Sequence, residues 1–269
     1  MISVILVLYK TPLSKLKNIK KYNKFNLFIF EQEGSEKKGE ILKNKLKFKF
    51  NYFFSKKNIG LPRAVNFLID KVKTKYCLMT EPDIEINHKS ILKLEKYIKK
   101  DKKFIIAGPI YIKKKNKNLN KKKINLNYKI KNFIDPSCVL FNVKLVKKIK
   151  FYDEDFYFYW DDIDLMERIN KSKYKIIELQ NTFAFHEEST SSESSIKIKL
   201  IKYVNFKYGE LLFDYKHKKL RLIKILRQFC QNLVFTFFNL ILFRKIFFKN
   251  IGYLIGIIKF ILFFIFKKN

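Results

Sequence analysis

The chain opens on an almost unbroken run of β-forming residues, Ile2 to Leu8, and the pattern returns at Asn26 to Phe30, with a lysine-rich amphipathic stretch, Leu13 to Lys21, between them. Apolar strands joined through a helical stretch predict the start of a parallel sheet covered on both faces. Lys47 to Phe54 is a third strand-like run. Asn58 to Pro62 breaks it, and Arg63 to Val72 has helical spacing through Val65, Leu68, Ile69 and Val72. Tyr76 to Thr80 predicts a fourth strand, ending at Glu81-Pro82-Asp83; a helix follows over Ser90 to Lys99, then strands at Ile105 to Tyr111 and Ser137 to Asn142. The lysine and asparagine tract Lys113 to Lys123 reads as an exposed loop between these last two. The class is therefore α/β. In such sheets ligands bind beyond the carboxyl ends of the strands, so acids placed just after a buried strand are candidates for function.

The pattern changes near Ile196. From there to Asn269 the chain carries 16 basic residues against only Glu210 and Asp214, mixed with two long apolar stretches, Phe229 to Phe243 and Ile251 to Phe266. A membrane-spanning helix needs about 20 apolar residues, and Lys259 interrupts the second stretch. The expected organisation is a catalytic domain over 1–210 and a basic, apolar helical tail over 211–269. The tail is expected to lie on the anionic inner surface of the cell membrane, which places the protein on the cytoplasmic side as a peripheral component. An inserted hairpin and a helical cap on the catalytic domain are the alternatives.

Composition changes this picture in three ways. The net charge of +34 raises nucleic acid as a partner, but only five of the 58 basic residues are arginine (Arg63, Arg168, Arg221, Arg227 and Arg244). Base and phosphate readers lean on arginine forks, so no nucleic-acid partner is expected. The three cysteines, Cys77, Cys138 and Cys230, are odd in number and far apart, which argues for a reducing compartment and against a disulfide framework. The start, Met1 to Tyr9, has no basic leader segment and reads as a strand.

Against this basic background, Phe151 to Met166 holds six carboxylates (Asp153, Glu154, Asp155, Asp161, Asp162 and Asp164) and no Lys or Arg. They are interleaved with Phe156-Tyr157-Phe158-Tyr159-Trp160, which includes the single tryptophan. Acids against aromatic walls suit a cleft. Asp161, Asp162 and Asp164 also suit the start of the helix suggested by Leu165, Met166 and Ile169.

Taken in order, Glu31-Gln32-Glu33-Gly34-Ser35 after the second strand, Asn58-x-Gly60 leading to Arg63 and Asn66, Glu81-Pro82-Asp83-Ile84, Tyr152-Asp153-Glu154-Asp155-Phe156, Asp161-Asp162-Ile163-Asp164-Leu165-x-x-Arg168 and Phe185-His186 form a series. Over about residues 1 to 210 this series resembles the family 2 glycosyltransferases of GT-A fold, in particular the bacterial rhamnosyltransferase-like branch. The resemblance implies a GT-A fold with a mostly parallel central sheet. It implies that Tyr9, Glu31, Asn58, Gly60, Arg63 and Asn66 line the nucleotide pocket, and that Asp83, with Glu81 and His186, holds Mg2+ or Mn2+ on the diphosphate. It makes Asp162, second of the pair with Asp161, the general base. For that chemistry, Tyr159 and Trp160 suit stacking on the apolar face of a sugar, and Arg168 suits orienting Asp162 or Asp164. The implied activity is inverting transfer of a sugar from a nucleotide-sugar donor to a saccharide or lipid-linked acceptor in cell-surface polysaccharide synthesis. The sequence departs from the family at Glu81, at Asp161 and at Tyr9-Lys10. Glu81, longer than the usual aspartate, keeps open a catalytically inactive homologue acting as a membrane scaffold. A basic nucleic-acid-associated protein is the rival of another class.

Overall fold

A computed structural model describes residues 1–12, 15–112, 127–186, 195–242 and 246–266. The tract at 113–126 and the serine-rich segment after His186 lie outside the described residues. Strand β1 (Ile2–Tyr9) is followed by a 3-10 helix (Lys15–Tyr22), β2 (Asn26–Gln32), α1 (Glu36–Leu46), β3 (Asn51–Ser55), α2 (Leu61–Lys71), β4 (Tyr76–Thr80), the short β5 (Ile84–Glu85) and α3 (His88–Ile98). Then come β6 (Phe104–Ile112), β7 (Tyr128–Lys131), β8 (Cys138–Asn142), α4 (Val143–Lys148), α5 (Asp161–Asn170), β9 (Lys175–His186) and three long helices, α6 (Ile196–Lys216), α7 (Leu222–Ile241) and α8 (Phe247–Phe266).

The strands form one sheet in the order β3-β2-β1-β4-β8-β6-β9-β5, with β7 added on β9. The first four are parallel, β8 runs against β4 and β6, and β6 and β9 are again parallel. Alternation along β1 shows why the strand is apolar throughout: Val4, Leu6 and Leu8 face one core, with Leu42 of α1 and Leu94 of α3, while Ile5 faces the other, with Val65 and Leu68 of α2. Both sheet faces are covered, as the unbroken apolar runs predict. The stretch expected to be amphipathic is a 3-10 helix, because its apolar residues Leu16, Ile19 and Tyr22 recur every three positions, and all three are buried. Several elements escaped the sequence pattern, α1 and β9 the longest helix and strand among those that position the site. Helix α1 is lysine-rich and has little apolar periodicity, but Ser35 caps it by accepting from the Lys38 amide, and Gly39 lets the Tyr52 ring lie against its backbone. Strand β9 carries Glu178, Gln180 and Asn181 within its run.

The chain divides into two compact units, Met1–Asp153 with Leu165–Glu193, and Glu154–Asp164 with Ser194–Asn269. The expected boundary at 210 falls within α6. In the second unit, Phe156, Tyr208, Leu211, Leu212, Ile225, Ile257 and Phe260 form a separate core. Gly252 and Gly256 let α8 approach α6 closely: a Cβ on Gly256 would stand 2.5 Å from the Val204 carbonyl oxygen. Glu210 of α6 accepts from Lys207, Lys224 and Gln228, and Lys224 also reaches Asp214 at 2.6 Å, so a polar clasp ties α6 to α7. Helix α8 starts four residues before the apolar stretch read from sequence and reaches 20 residues; among the described residues it is the one helix long and apolar enough to cross a membrane.

Candidate functional site

In the first unit, the parallel register places Leu8 beside Glu31 and Tyr9 beside Gln32 at the carboxyl ends of β1 and β2. Glu31 is buried; its carboxylate accepts from the Tyr52 hydroxyl at 2.8 Å and faces Lys38 Nζ at 3.4 Å. The loops beyond both strands turn through left-handed residues, Lys10 (φ 47°) and Glu33 (φ 54°). These two pair at 3.4 Å, and the Tyr9 hydroxyl lies 3.5 Å from Glu33. A third strand end completes the cradle. Gln32, buried, receives the Ile59 amide and donates to the Gly60 carbonyl, both at 2.9 Å, while the Asn58 side chain accepts from the Gly60 amide at 2.9 Å. Gly60, at φ 89° and ψ 156°, takes a conformation open only to glycine. The result is a rigid loop leading into the N-terminus of α2, where no side chain caps the first amides and Arg63 is exposed on the first turn. A helix N-terminus beside a guanidinium suits a phosphate. Gln32 is a residue that sequence reasoning missed; a buried amide at a strand end is its only signal.

Asn66 sits one turn further along α2. Its amide donates to the Tyr152 carbonyl at 2.9 Å and its carbonyl accepts from the Tyr152 amide at 3.2 Å. This two-way bridge pins a segment 86 residues away, which is a structural duty for a residue expected to contact nucleotide. Arg168 behaves likewise: expected to orient the acids, it donates to the carbonyls of Ile149, Lys150 and Phe151 at 2.6 to 2.8 Å. It thereby locks the turn that leads into the acidic segment.

Strand β4 ends at the acid turn. The Ile84 amide closes it on the Glu81 carbonyl, and Asn18 donates to the Pro82 carbonyl. Asp83 is 1 % exposed. Burial, with the nearby Asp83 charge, pushes the Glu81 carboxyl up to about 7; Asp135 adds to the rise, while a hydrogen bond with Ser137 opposes it. Asp135 and Ser137, from the segment entering β8, are therefore part of this site and were not anticipated. The register of β5 against β9 pairs Ile84 with His186, which brings the His186 backbone beside the Asp83 turn. Among the described residues no three His, Cys, Asp or Glu side chains are grouped as a metal cage. Two acids crowded together so that one holds its proton nevertheless form a site that a hard dication relieves, and Mg2+ or Mn2+ is commonly held by one or two carboxylates plus substrate phosphates. The donor set fits such an ion.

In the second unit, Asp161, Asp162 and Asp164 lie in the first turn of α5, where the helix dipole favours acids. Asp161 and Asp164 are buried, whereas Asp162 is partly exposed. Burial, then the charges of Asp162 and Asp164, push the Asp161 carboxyl up to about 7. Asp164 is held by His217, whose Nε2 lies 2.9 Å from Oδ1. His217 in turn lies against Phe213, ring centroids 4.4 Å apart. Before the helix, Tyr159 and Trp160 both adopt left-handed backbone conformations, at φ 70° and 69°. Consecutive bulky residues there carry strain that the surroundings must hold. Here Trp160 packs on Phe206 and Phe213 and against Gly209, where a Cβ would come within 3.0 Å of both the indole and the Tyr159 carbonyl oxygen. Trp160 is thus anchored in the core of its unit, and Tyr159 packs on Phe158 and Phe206.

Residues 7–251 match the family model for glycosyl transferase family 2. The chain belongs to that family. Its fold is shared with solved transferases of low sequence identity. GalNAc-T7 with UDP, GalNAc and Mn2+ aligns at 13 % identity and TM-score 0.59, over 78 % of this chain and 48 % of the other. The mannosyltransferase PcManGT from Pyrobaculum calidifontis, in complex with GDP-Man and Mn2+, aligns at 12 % and 0.58, over 82 % and 64 %. S. aureus TarS 1–349 in complex with UDP aligns at 12 % and 0.53, over 81 % and 72 %. The chain spans about half to three quarters of the length of these relatives. No curated protein matches it.

Proposed function

We propose that this transferase moves a sugar, with inversion, from a nucleotide-diphosphate donor to a saccharide or lipid-linked acceptor in cell-surface polysaccharide synthesis. It works at the cytoplasmic face of the membrane, attached through its C-terminal helices, and the order of its motifs supports the rhamnosyltransferase-like branch. The carrying observation is the Glu81-Pro82-Asp83 turn at the end of β4, where Asp83 is buried and burial, with the nearby Asp83 charge, pushes the Glu81 carboxyl up to about 7. The structures it resembles, solved with UDP or GDP-Man and two of them with Mn2+, support the same reading.

In this reading the loop of Asn58 and Gly60, fixed by Gln32, with Tyr9, Glu31 and Arg63, receives the nucleotide. Asp83 and Glu81 hold the divalent ion, with His186 brought beside them by strand register. Bound there, the ion neutralises the charge that develops on the departing diphosphate. Asp162 is the partly exposed acid of its cluster and so the one an acceptor hydroxyl can reach; it takes the hydroxyl proton as the oxygen attacks the anomeric carbon. One base and one displacement invert the centre. Asp161, its buried neighbour in the same turn, is the acid of the cluster whose carboxyl burial pushes up to about 7.

Thermal unfolding of the full chain against a panel of nucleotide sugars, with Mn2+ and with EDTA, tests the proposal. One nucleotide sugar should raise Tm in Mn2+ and do so far less in EDTA. No shift with any member would refute a nucleotide-sugar donor. Binding without turnover on any acceptor would instead favour the inactive scaffold, the reading that Glu81 in place of aspartate keeps in view.

A further inference from the structure

The C-terminal helices carry an arrangement that goes beyond attachment by charge. On α7, Leu233, Phe237 and Leu240 recur at helical spacing on the outer face, and on α8 Ile258, Leu262 and Ile265 do the same; Phe237 is 63 % and Ile258 46 % exposed. Three polar side chains that would burden α7 in hydrocarbon bond back to the helix itself. Asn232, Thr236 and Asn239 each donate at 2.7 Å to the carbonyl one turn back, of Gln228, Asn232 and Phe235 respectively. Lys259, the residue that interrupts the apolar stretch in sequence, turns inward: its Nζ donates to Asn205 Oδ1 at 3.0 Å and lies 4.4 Å from the centre of the Tyr208 ring. The charge that breaks the pattern in sequence is therefore taken off the outer face.

From Leu222 to Phe266 there is no carboxylate, while Arg221 and Arg227 stand at the start of α7 and Lys249 at the start of α8. Satisfied polar groups, an apolar outer face and flanking cations fit one occupant, the acyl region beneath anionic lipid headgroups. A second copy of a chain of net charge +34 would meet like charge there. Crossing is disfavoured by α6. It packs on the inner side of α8 through the Gly252 and Gly256 notch, and it carries Lys197, Lys199, Lys202, Glu210, Asp214 and Lys216, which would be drawn into hydrocarbon.

We infer that α7 and α8 insert their outer apolar faces into one leaflet of an anionic membrane without crossing it, held to α6 on the inner side by Lys259 and the two glycines. This rests on the membrane attachment proposed above and fixes its mode. Truncation is not the test, because Ile225, Ile257 and Phe260 complete the core of this unit. Cys230 is exposed, and Cys77 and Cys138 are buried, so in a Cys230→Ser background single cysteines at Phe237, Ile258 and Lys197 can be labelled with an environment-sensitive fluorophore. The full chain is mixed with phosphatidylcholine vesicles with and without phosphatidylserine, some carrying a nitroxide on the acyl chain.

Labels at Phe237→Cys and Ile258→Cys should brighten several-fold on phosphatidylserine vesicles and be quenched by the acyl nitroxide, while Lys197→Cys stays aqueous. High salt should weaken binding and leave quenching of the bound fraction unchanged. Bound protein whose labels at 237 and 258 stay aqueous would overturn insertion and leave surface attachment standing. Absence of binding to anionic vesicles would overturn both. Equal quenching at 197 would overturn the one-leaflet mode. A concentration-dependent shift of the 237 label without vesicles would assign the face to a second copy of the chain. Nucleotide-sugar thermal shifts on the same proteins report the donor site separately.

Discussion

Replacing Asp161 by Asn should make the protein more stable at pH 8 and less active. The carboxyl titrates at about 7 in the folded protein against 3.8 in the ordinary case, a difference worth about 4 kcal/mol between its two protonation states. The folded state holds this proton more tightly than the unfolded chain. The stabilisation is therefore fully present below about pH 4 and is lost as pH rises through about 7. At pH 8 the wild type carries a buried carboxylate crowded by Asp162 and Asp164. The position at a helix N-terminus returns only about 0.3 to 1 kcal/mol, so burial and like charge win. Asn keeps the shape and removes the charge.

Asp161→Asn should thus gain a large part of about 4 kcal/mol over wild type at pH 8 and nothing near pH 4, and its stability should change far less between those values. Urea unfolding across this pH range, read by the fluorescence of Trp160, the adjacent and single tryptophan, reports this segment directly. Parallel stability profiles for the two proteins would refute the reasoning, because the raised affinity for the proton would then not reside at Asp161.

Asp162→Asn should lower kcat by about 10²- to 10⁴-fold with donor affinity unchanged by titration; equal turnover would remove the base assignment, and loss confined to Asp161→Asn would move it by one residue. Asp83→Ala should weaken nucleotide-diphosphate binding in Mn2+ far more than in EDTA. Because Glu81 keeps its proton up to about 7, Mn2+ affinity of the wild type should climb between pH 6 and 8 and flatten above; a flat profile in calorimetry would count against Glu81 as a ligand. Asn66→Ala should cost about 1 to 3 kcal/mol of stability through its lost bridge to Tyr152 with nucleotide affinity retained; the reverse outcome would return Asn66 to the pocket. Gly256→Leu should cost at least about 1 to 3 kcal/mol by forcing α8 off α6, and unchanged urea stability would deny the close approach.

The parts of this molecule that were legible in its sequence are those where a residue's environment is set by its near neighbours in the chain. Strand β1, buried on both faces, must be apolar throughout, and α2 and α3 must show one apolar stripe, so Val65, Leu68, Leu94 and Ile98 announce themselves. The acid turn after β4 follows from the same logic, since the end of a buried strand is a fixed place in the fold. Residues whose role depends on a partner far along the chain gave no such signal. Asn66 bridges to Tyr152, His217 holds Asp164 across 53 positions, and Asp135 reaches the Glu81 turn from the segment before β8. Lys259 is the sharpest case. Hydropathy along the chain counts it as a break in an apolar helix, and that reading holds only if its ammonium points outward. Asn205 and Tyr208, on a helix more than fifty residues earlier, turn it inward, and the outer face of α8 becomes continuous because of contacts that no window of sequence contains.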